Sequence, residues 1–271
     1  TKSTKIVATI SDKRCDVDFL RELYIEGMNV VRMNSKKKKK EGFLRIINNV
    51  RAVSNHIAIL MDTKGPEVRT TVAENDAIEI KSGDIIKVVG NPDMISNNEY
   101  IAVNYPYFVR DLNVGDDILF DDGEIDLKVD SKTEEYLLCK ALNDGTLGSR
   151  KSVNVPGVRI NLPSLTERDK QNILFAIENN IDFIAHSFVR NKQDVLDIQK
   201  ILDEHNSPIK IISKIENQEG VDNIDEILEY TYGVMIARGD LGIEVAQEKI
   251  PGIQRRLIRK CVKAKKPVIV A

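Results

Sequence analysis

The sequence predicts an α/β protein in which a parallel sheet, open or closed into a barrel, carries an inserted antiparallel β domain. Short apolar, β-branched runs alternate with helical patterns over most of the chain, which is the pattern of strands joined by crossover helices. This alternation stops for roughly 120 residues between Met61 and Asp182, far more than a loop from strand to helix needs. Short alternating strands with turn pairs fill that interval, so a second β domain is expected there.

The parallel strands are predicted from runs that are apolar nearly throughout, as expected for strands buried on both faces. They are KIVATI (5–10), NVVRMN (29–34), IAILMD (57–62), DFIAHSF (182–188), IKIISKIE (209–216), GVMIA (233–237) and PVIVA (267–271). This set gives seven strands and no eighth strand.

Helices are predicted between most of these strands from apolar residues that recur every three or four positions. The apolar faces are Phe43, Ile46, Ile47, Val50 and Val53; Val195, Ile198, Ile201 and Leu202; Val221, Ile224, Ile227 and Leu228; and Ile253, Leu257, Cys261 and Ala264. SLTE at 164–167 has the form of a capping box and is predicted to open a further helix.

The inserted domain is predicted to span residues 66–156, with 1–65 and 157–271 forming the two parts of the parallel domain. Three stretches suggest hairpins: AIEIKSGDIIKVVG, DDILFDDGEIDLKVD and EEYLLCKALNDGTLG. Pro66 and Pro156 mark the two crossings and are a plausible double hinge. A domain inserted after a strand would overhang the edge where such sheets place their active sites.

Composition excludes several classes of protein. A net charge of -2 argues against a dedicated nucleic-acid binder, and no apolar run is long enough for a membrane span. The three cysteines are far apart and form no CxxC pair, so neither a disulfide framework nor a zinc cluster is expected. A cytoplasmic location is therefore predicted.

Charged side chains follow several of the predicted strands. Lys214 and Glu216 alternate along one strand and should face the same way, and Asp240 follows the next strand. Two carboxylates, with water and substrate completing the shell, are how proteins usually hold Mg²⁺. Nearby Arg32 and Arg69 suit a phosphoryl group.

The simpler alternative for such a strand end is a surface ion pair without function. The same set of phosphate- and cation-binding residues at four strand ends favours a site. His56, His186 and His205 lack metal-ligand spacing, and His186 is interpreted as a strand-end histidine whose hydrogen bonds are satisfied. Neither GxGxxG nor GxxxxGK[ST] occurs, which excludes Rossmann and P-loop nucleotide sites.

Four stretches, MDTKGPEVRT, LPSLTERDK, ISKIEN and IARGDLGIE, resemble signature segments of the pyruvate kinase family. The resemblance runs in order from TKIVATI to the last residue, and the inserted domain lies where that family has its mobile lid. It implies a (β/α)₈ barrel of the TIM type, here incomplete at its C-terminus, with a small inserted β-barrel lid. It also implies transfer of a phosphoryl group from phosphoenolpyruvate to ADP, giving pyruvate and ATP.

The resemblance also implies residue roles. Glu216 and Asp240 would ligate Mg²⁺ or Mn²⁺, and Lys214 would neutralise charge on the migrating phosphoryl group and on the enolate. The substrate carboxylate would bind at the turn formed by Ala237, Arg238, Gly239 and Asp240.

Phosphate and monovalent-cation contacts are implied in the same way. Arg32 would hold phosphate, and Arg69 would reach phosphates between barrel and lid. The K⁺ site would be formed by Asn34, Asp62 and Thr63, and Glu67 goes with K⁺ dependence in this family.

The five lysines Lys36–Lys40 depart from the family pattern, which has Ser and His where this chain has Lys36 and Lys37. One hypothesis puts the Lys36 ammonium in the K⁺ site, and a second makes the run a nucleic-acid patch. The favoured hypothesis is a mobile, solvated loop leading into the helix of Phe43, without contact between Lys36 and Asp62.

Two other functions stay open: a Mg²⁺-dependent lyase or aldolase acting on pyruvate or phosphoenolpyruvate, and a non-catalytic, ligand-binding fragment. The missing eighth strand and C-terminal regulatory domain predict that residues 1–271 alone are inactive. The resemblance further implies that the full-length protein is a homotetramer.

Overall fold

The computed structural model describes residues 3–34 and 39–271. The first part of the chain forms β1 (Ile6–Thr9), α1 (Val17–Ile25), β2 (Met28–Met33), α2 (Lys40–Val53) and β3 (Ala58–Asp62).

The middle of the chain is built from eight short strands and one short helix. These are β4 (Ile78–Ile80), β5 (Ile85–Gly90), β6 (Tyr100–Val103), α3 (Phe108–Asp111), β7 (Asp117–Phe120), β8 (Ile125–Lys132), β9 (Leu137–Ala141), β10 (Gly145–Leu147) and β11 (Val153–Asn154).

The last part returns to alternating helices and strands. These are α4 (Glu167–Glu178), β12 (Phe183–His186), α5 (Lys192–Glu204), β13 (Lys210–Ile215), α6 (Gln218–Asp222), α7 (Ile224–Tyr230), β14 (Gly233–Ile236), α8 (Arg238–Glu244), α9 (Ile250–Lys263) and β15 (Val268–Val270).

The seven predicted parallel strands form one curled sheet in the order β1-β2-β3-β12-β13-β14-β15. Alternate residues of these strands pack into two different cores. Ile59 and Ile184 face the core beneath the helices, whereas Leu60 and Ala185 face a smaller cluster on the concave side. Because both faces are covered, the strands need apolar residues at consecutive positions. The predicted incomplete barrel is thereby confirmed.

The middle strands form a second, mostly antiparallel structure with a core of its own. Six strands pair in the order β11-β7-β8-β9-β5-β6, and β4 pairs with β10. Two details of the prediction are wrong. Only the second of the three expected hairpins forms, between β7 and β8, and the β5–β6 pair is parallel. Apolar residues at every second position show which side chains face a core, but they do not show which strands pair with each other.

Three local features differ from the sequence prediction. The capping box lies at Thr166 and Asp169, not at Ser164 and Glu167. The helix expected over Val221–Leu228 is two helices, because Asn223 has a ψ of 16 and interrupts the helical backbone. Helix α1, which begins where Asp16 Oδ2 accepts the Phe19 N–H, was not predicted.

The lysine run can be compared with the structure only at its end. Helix α2 begins at Lys40, and Lys39 and Lys40 are exposed. The predictions about Lys36, Lys37 and Lys38 lie outside the described residues. Among the helices of the described ranges, none combines the length and the apolar composition needed to cross a bilayer.

Candidate active site

Strands β2, β3 and β13 bring four charged side chains together at their carboxyl ends, with β12 lying between β3 and β13. Lys214, near the end of β13, places Nζ 3.3 Å from Asp62 Oδ2 and 3.3 Å from Glu216 Oε1. Asp62 ends β3, and it accepts two hydrogen bonds from Arg32 on β2, at 3.0 Å from Nε and 2.5 Å from the terminal nitrogen. The sequence prediction that Lys214 and Glu216 face the same way agrees with this geometry.

The cluster is buried, and this decides its electrostatics. Lys214 is 6% exposed, Glu216 4% and Asp62 2%. Burial alone would lower the pKa of Lys214, but the carboxylates of Glu216 and Asp62 outweigh it and the pKa is raised. Lys214 is therefore a charged ammonium held at a fixed position.

Glu216 titrates unlike an ordinary glutamate. Burial raises its pKa to about 7, Lys214 opposes the rise, and the neighbouring Asp240 carboxyl adds to it. The Phe188 N–H donates to Glu216 Oε2 at 2.6 Å. Two carboxyl groups held so close repel each other unless a proton or a cation lies between them.

This pair fits a hard divalent cation. No group of three or more His, Cys, Asp or Glu suited to a metal is found in residues 3–34 and 39–271. Mg²⁺ is commonly bound through one or two carboxylates, with water and substrate phosphate as the other ligands. Glu216 and Asp240 supply that donor set.

Asp240 opens onto a cleft of about 350 Å³ between the parallel domain and the inserted domain. Arg69 lines the same cleft; its Nε donates to Glu67 Oε2 at 2.6 Å, and one terminal nitrogen donates to the Arg150 carbonyl at 2.7 Å. Arg69 and Asp240, which are distant in the sequence, thus line one cavity.

The predicted substrate turn lies where β14 ends and α8 begins. Ala237 is buried, whereas Arg238 and Gly239 are exposed. Backbone N–H groups in a first helical turn have no partner within the helix. A Cβ at Gly239 would meet nothing within 4 Å, so there is open space above this turn for a ligand.

The predicted K⁺ ligands lie at the ends of β2 and β3. Asn34 directly follows β2 and is half-buried. Asp62 carries Arg32 and Lys214 as partners, which the sequence did not indicate. Thr63 is 3% exposed, and its carbonyl oxygen accepts the Ser187 hydroxyl at 2.6 Å.

Several residues that support the site were not singled out from sequence. Ser187 Oγ lies 3.4 Å from Lys214 Nζ, and Phe188 has a φ of +57. Asp169 accepts the Lys64 and Gly65 N–H groups at 2.8 Å and 3.1 Å, holding the loop after β3. The one available signal was the polar pair His186-Ser187 at the end of an otherwise apolar run.

The interpretation of His186 as fully satisfied is wrong. Its Nδ1 lies 3.1 Å from Thr63 Oγ1, but Nε2 has no hydrogen-bond partner among the described residues. The side chain is 0% exposed, and burial lowers its pKa to about 4. A strand-end position does not show whether the residue faces solvent or the helix layer.

Comparison with known proteins gives one consistent match. The family model described as pyruvate kinase, barrel domain, matches residues 1–271. Pyruvate kinase of Borreliella burgdorferi is 46% identical over all of this chain and 56% of its own length. Pyruvate kinase of Geobacillus stearothermophilus is 48% identical over all of this chain and 47% of its own length.

A solved structure agrees with these relatives. The crystal structure of a pyruvate kinase from Cryptosporidium parvum superposes with a TM-score of 0.95 at 38% identity, covering 98% of this chain and 57% of that one. The chain thus spans about half the length of the relatives it matches. It belongs to the pyruvate kinase family and corresponds to that family's barrel domain.

Proposed function

We propose that the protein carrying this chain transfers the phosphoryl group of phosphoenolpyruvate to ADP, giving pyruvate and ATP. The observation that supports this most is the buried Lys214 ammonium, 3.3 Å from Asp62 and 3.3 Å from Glu216, at the carboxyl ends of the strands. A preorganised cation in a water-poor site stabilises charge that develops during phosphoryl transfer.

Lys214 acts on the transition state in this proposal. Negative charge develops on the migrating group and on the enolate that remains, so the ammonium gains interaction energy as the reaction proceeds. Its position is fixed by Asp62, Glu216 and Ser187, so little reorganisation is needed. Lys214 is therefore proposed to be catalytic.

Glu216 and Asp240 would hold the divalent cation, Mg²⁺ or Mn²⁺. Bound there, it would supply positive charge for the phosphoryl and enolate oxygens. The chain's own contribution is a carboxylate pair whose mutual repulsion favours a cation. Asn34, Asp62 and Thr63 are proposed to hold K⁺, with Glu67 indicating that K⁺ is required.

The substrate groups are assigned to the turn after β14 and to two arginines. The turn of Ala237, Arg238, Gly239 and Asp240 would take the carboxylate through backbone N–H groups. Arg32 and Arg69 would contact phosphate: Arg32 beside Lys214, and Arg69 from the inserted domain. Closure of the inserted domain would exclude water from the reacting groups.

The proposal extends to the organisation of the protein. Residues 66–156 are proposed as the lid, and 1–65 and 157–271 as the barrel, since the middle strands have a separate core. Val158, Ile160 and Leu162 pack against that core from beyond the second boundary. A homotetramer and a cytoplasmic location are proposed from family membership.

The test is pyruvate formation by the full-length protein. We expect turnover that requires ADP, a divalent cation and K⁺, and that is lost in Glu216→Gln but kept in the exposed control Glu248→Gln. Pyruvate formation without ADP would show a lyase or aldolase instead. A phosphoenolpyruvate analogue that raises the unfolding temperature without any turnover would show a non-catalytic binder.

A further inference from the structure

His186 connects the helix layer of the barrel to the predicted site. It is the last residue of β12, and its side chain is fully buried. Asp169 of α4 and Asp194 and Asp197 of α5 act on the imidazole from the two flanking helices, and Arg190 acts on it from the loop before α5. A buried polar side chain in such a position needs hydrogen-bond partners, and Thr63 is one.

The hydrogen bonds around Thr63 favour one polarity for its contact with His186. Thr63 Oγ1 accepts the Ser187 N–H at 2.9 Å, which leaves the Thr63 hydroxyl proton for His186 Nδ1 at 3.1 Å. Nδ1 is then the acceptor, and the neutral ring carries its proton on Nε2. The opposite polarity would leave the Thr63 hydroxyl with two donors and no acceptor for its own proton.

Thr63 in turn positions Ser187 and Lys214. The Ser187 hydroxyl donates to the Thr63 carbonyl at 2.6 Å, and its oxygen faces Lys214 Nζ at 3.4 Å. Ser187 and Thr63 are thus joined by two hydrogen bonds, both donated by Ser187. A change in the orientation of the Thr63 side chain would be transmitted to the ammonium through this pair.

We propose that His186 is a positioning residue: by accepting a hydrogen bond at Nδ1 it holds the Thr63–Ser187 pair, and through this pair it holds Lys214 and the proposed K⁺ ligands. The functional part of this inference rests on the proposed phosphoryl transfer. Partners behind the ligands of metal sites typically affect affinity or activity by about 10–100-fold.

The first test compares three substitutions in the full-length protein. His186→Asn keeps an acceptor near the position of Nδ1, His186→Gln places its amide near Nε2, and His186→Ala removes both. We expect His186→Ala and His186→Gln to raise the half-saturating K⁺ concentration and to lower kcat by about tenfold each, with KM for phosphoenolpyruvate within about twofold. His186→Asn is expected to restore both values to within about threefold of the unchanged protein.

A space-filling role gives a different pattern. It predicts that all three variants lose stability in proportion to the change in volume, with an unaltered K⁺ response, and this result would overturn the proposal. Unfolding temperatures and far-ultraviolet circular dichroism are recorded for each variant, and the exposed residue His56 provides the control His56→Asn. An unchanged K⁺ response in a folded His186→Ala protein would also overturn it.

The second test does not depend on activity. Nitrogen-15 labelling of histidine gives a spectrum in which His186→Asn assigns the His186 ring by the loss of its signals. We expect an unprotonated Nδ1 and a protonated Nε2, with a shift of the Nδ1 signal in Thr63→Val. A protonated Nδ1, or no response to Thr63→Val, would overturn the contact. If the full-length protein made no pyruvate, the proposed function would fail while this test still decided the contact.

Discussion

Glu216→Gln should stabilise the metal-free protein at alkaline pH even though it removes a proposed metal ligand. The Glu216 carboxyl is 4% exposed, and burial beside Asp240 raises its pKa from 4.5 to about 7. Between these two values the folded protein binds more protons than the unfolded chain does. Stability therefore falls as pH rises through this window, and glutamine, which has no charge to bury, avoids the loss.

The size of the effect follows from the two pKa values. A difference of about 2.5 units corresponds to about 3 kcal/mol at pH values above both. About 2 kcal/mol of this falls between about pH 5.5 and 8.5, a range in which unfolding can be measured. These figures are upper values, because the buried carboxyl can gain water as it ionises.

The assay is urea unfolding at several pH values with a chelator present. Far-ultraviolet circular dichroism provides the unfolding signal. The free-energy difference between the variant and the unchanged protein should grow in favour of the variant by about 2 kcal/mol across the range. Glu248→Gln, at an exposed position, should give a difference that stays constant with pH.

Addition of Mg²⁺ at pH 8.5 should make the unchanged protein more stable than Glu216→Gln. Glu216 is then ionised, and the unchanged protein gains stability from Mg²⁺ binding that Glu216→Gln lacks. A free-energy difference that does not vary with pH would refute the reasoning, since Glu216 would then bind protons equally in both states. Equal stabilisation of both proteins by Mg²⁺ would refute the assignment of the ligand.

The remaining predictions concern the rest of the site. Lys214→Met should lower kcat by at least about 100-fold and leave KM for phosphoenolpyruvate within a few-fold, as steady-state kinetics would show; a near-normal kcat would contradict a role in the transition state. Gly65→Ala should lower the free energy of unfolding by more than about 1–2 kcal/mol, the cost of a left-handed backbone conformation alone. The reason is that its Cβ would lie 2.9 Å from the Phe188 ring. Gly83→Ala, with φ +92 and nothing within 4 Å, should cost only the backbone term, and equal costs in urea unfolding would contradict the steric argument. A polypeptide of residues 1–271 should not turn over, since β1 and β15 are each paired on one side only in the described sheet; robust pyruvate formation by it would contradict this.

The parallel strands could be predicted because burial on both faces leaves a strong sequence pattern. Ile59 and Leu60 are neighbours that enter different cores, so every position of β3 before its terminal Asp62 has to be apolar. The strand pairs of the middle region could not be predicted. Ile78 pairs with Leu147 rather than with the adjacent β5, and a pairing between residues so distant in sequence leaves no local signal.

The charged residues of the site could be predicted, but their connections could not. Each of the four lies at or near the end of an apolar run: Arg32, Asp62, Lys214 and Glu216. Because the strands are parallel, these ends meet at one edge of the sheet. That Asp62 binds both Arg32 and Lys214 depends on side-chain conformations. The interpretation of His186 was wrong because alternation along β12 predicts the side of the sheet on which the side chain lies. It does not predict which hydrogen-bond partners are present on that side.

The ion pairs of the site give a reason why cation and phosphate binding should strengthen each other. Lys214 is held by Asp62 and Glu216, and Arg32 by Asp62, so neither cation is free to bind a phosphate fully. When Glu216 binds a metal ion, its attraction for Lys214 weakens and the ammonium becomes more available to an anion. Phosphate bound to Lys214 and Arg32 would in turn leave Glu216 and Asp62 more available to cations, and the two couplings must be equal. Because Lys214, Glu216 and Asp62 are buried and Arg32 is half-buried, the coupling is weakly screened by salt.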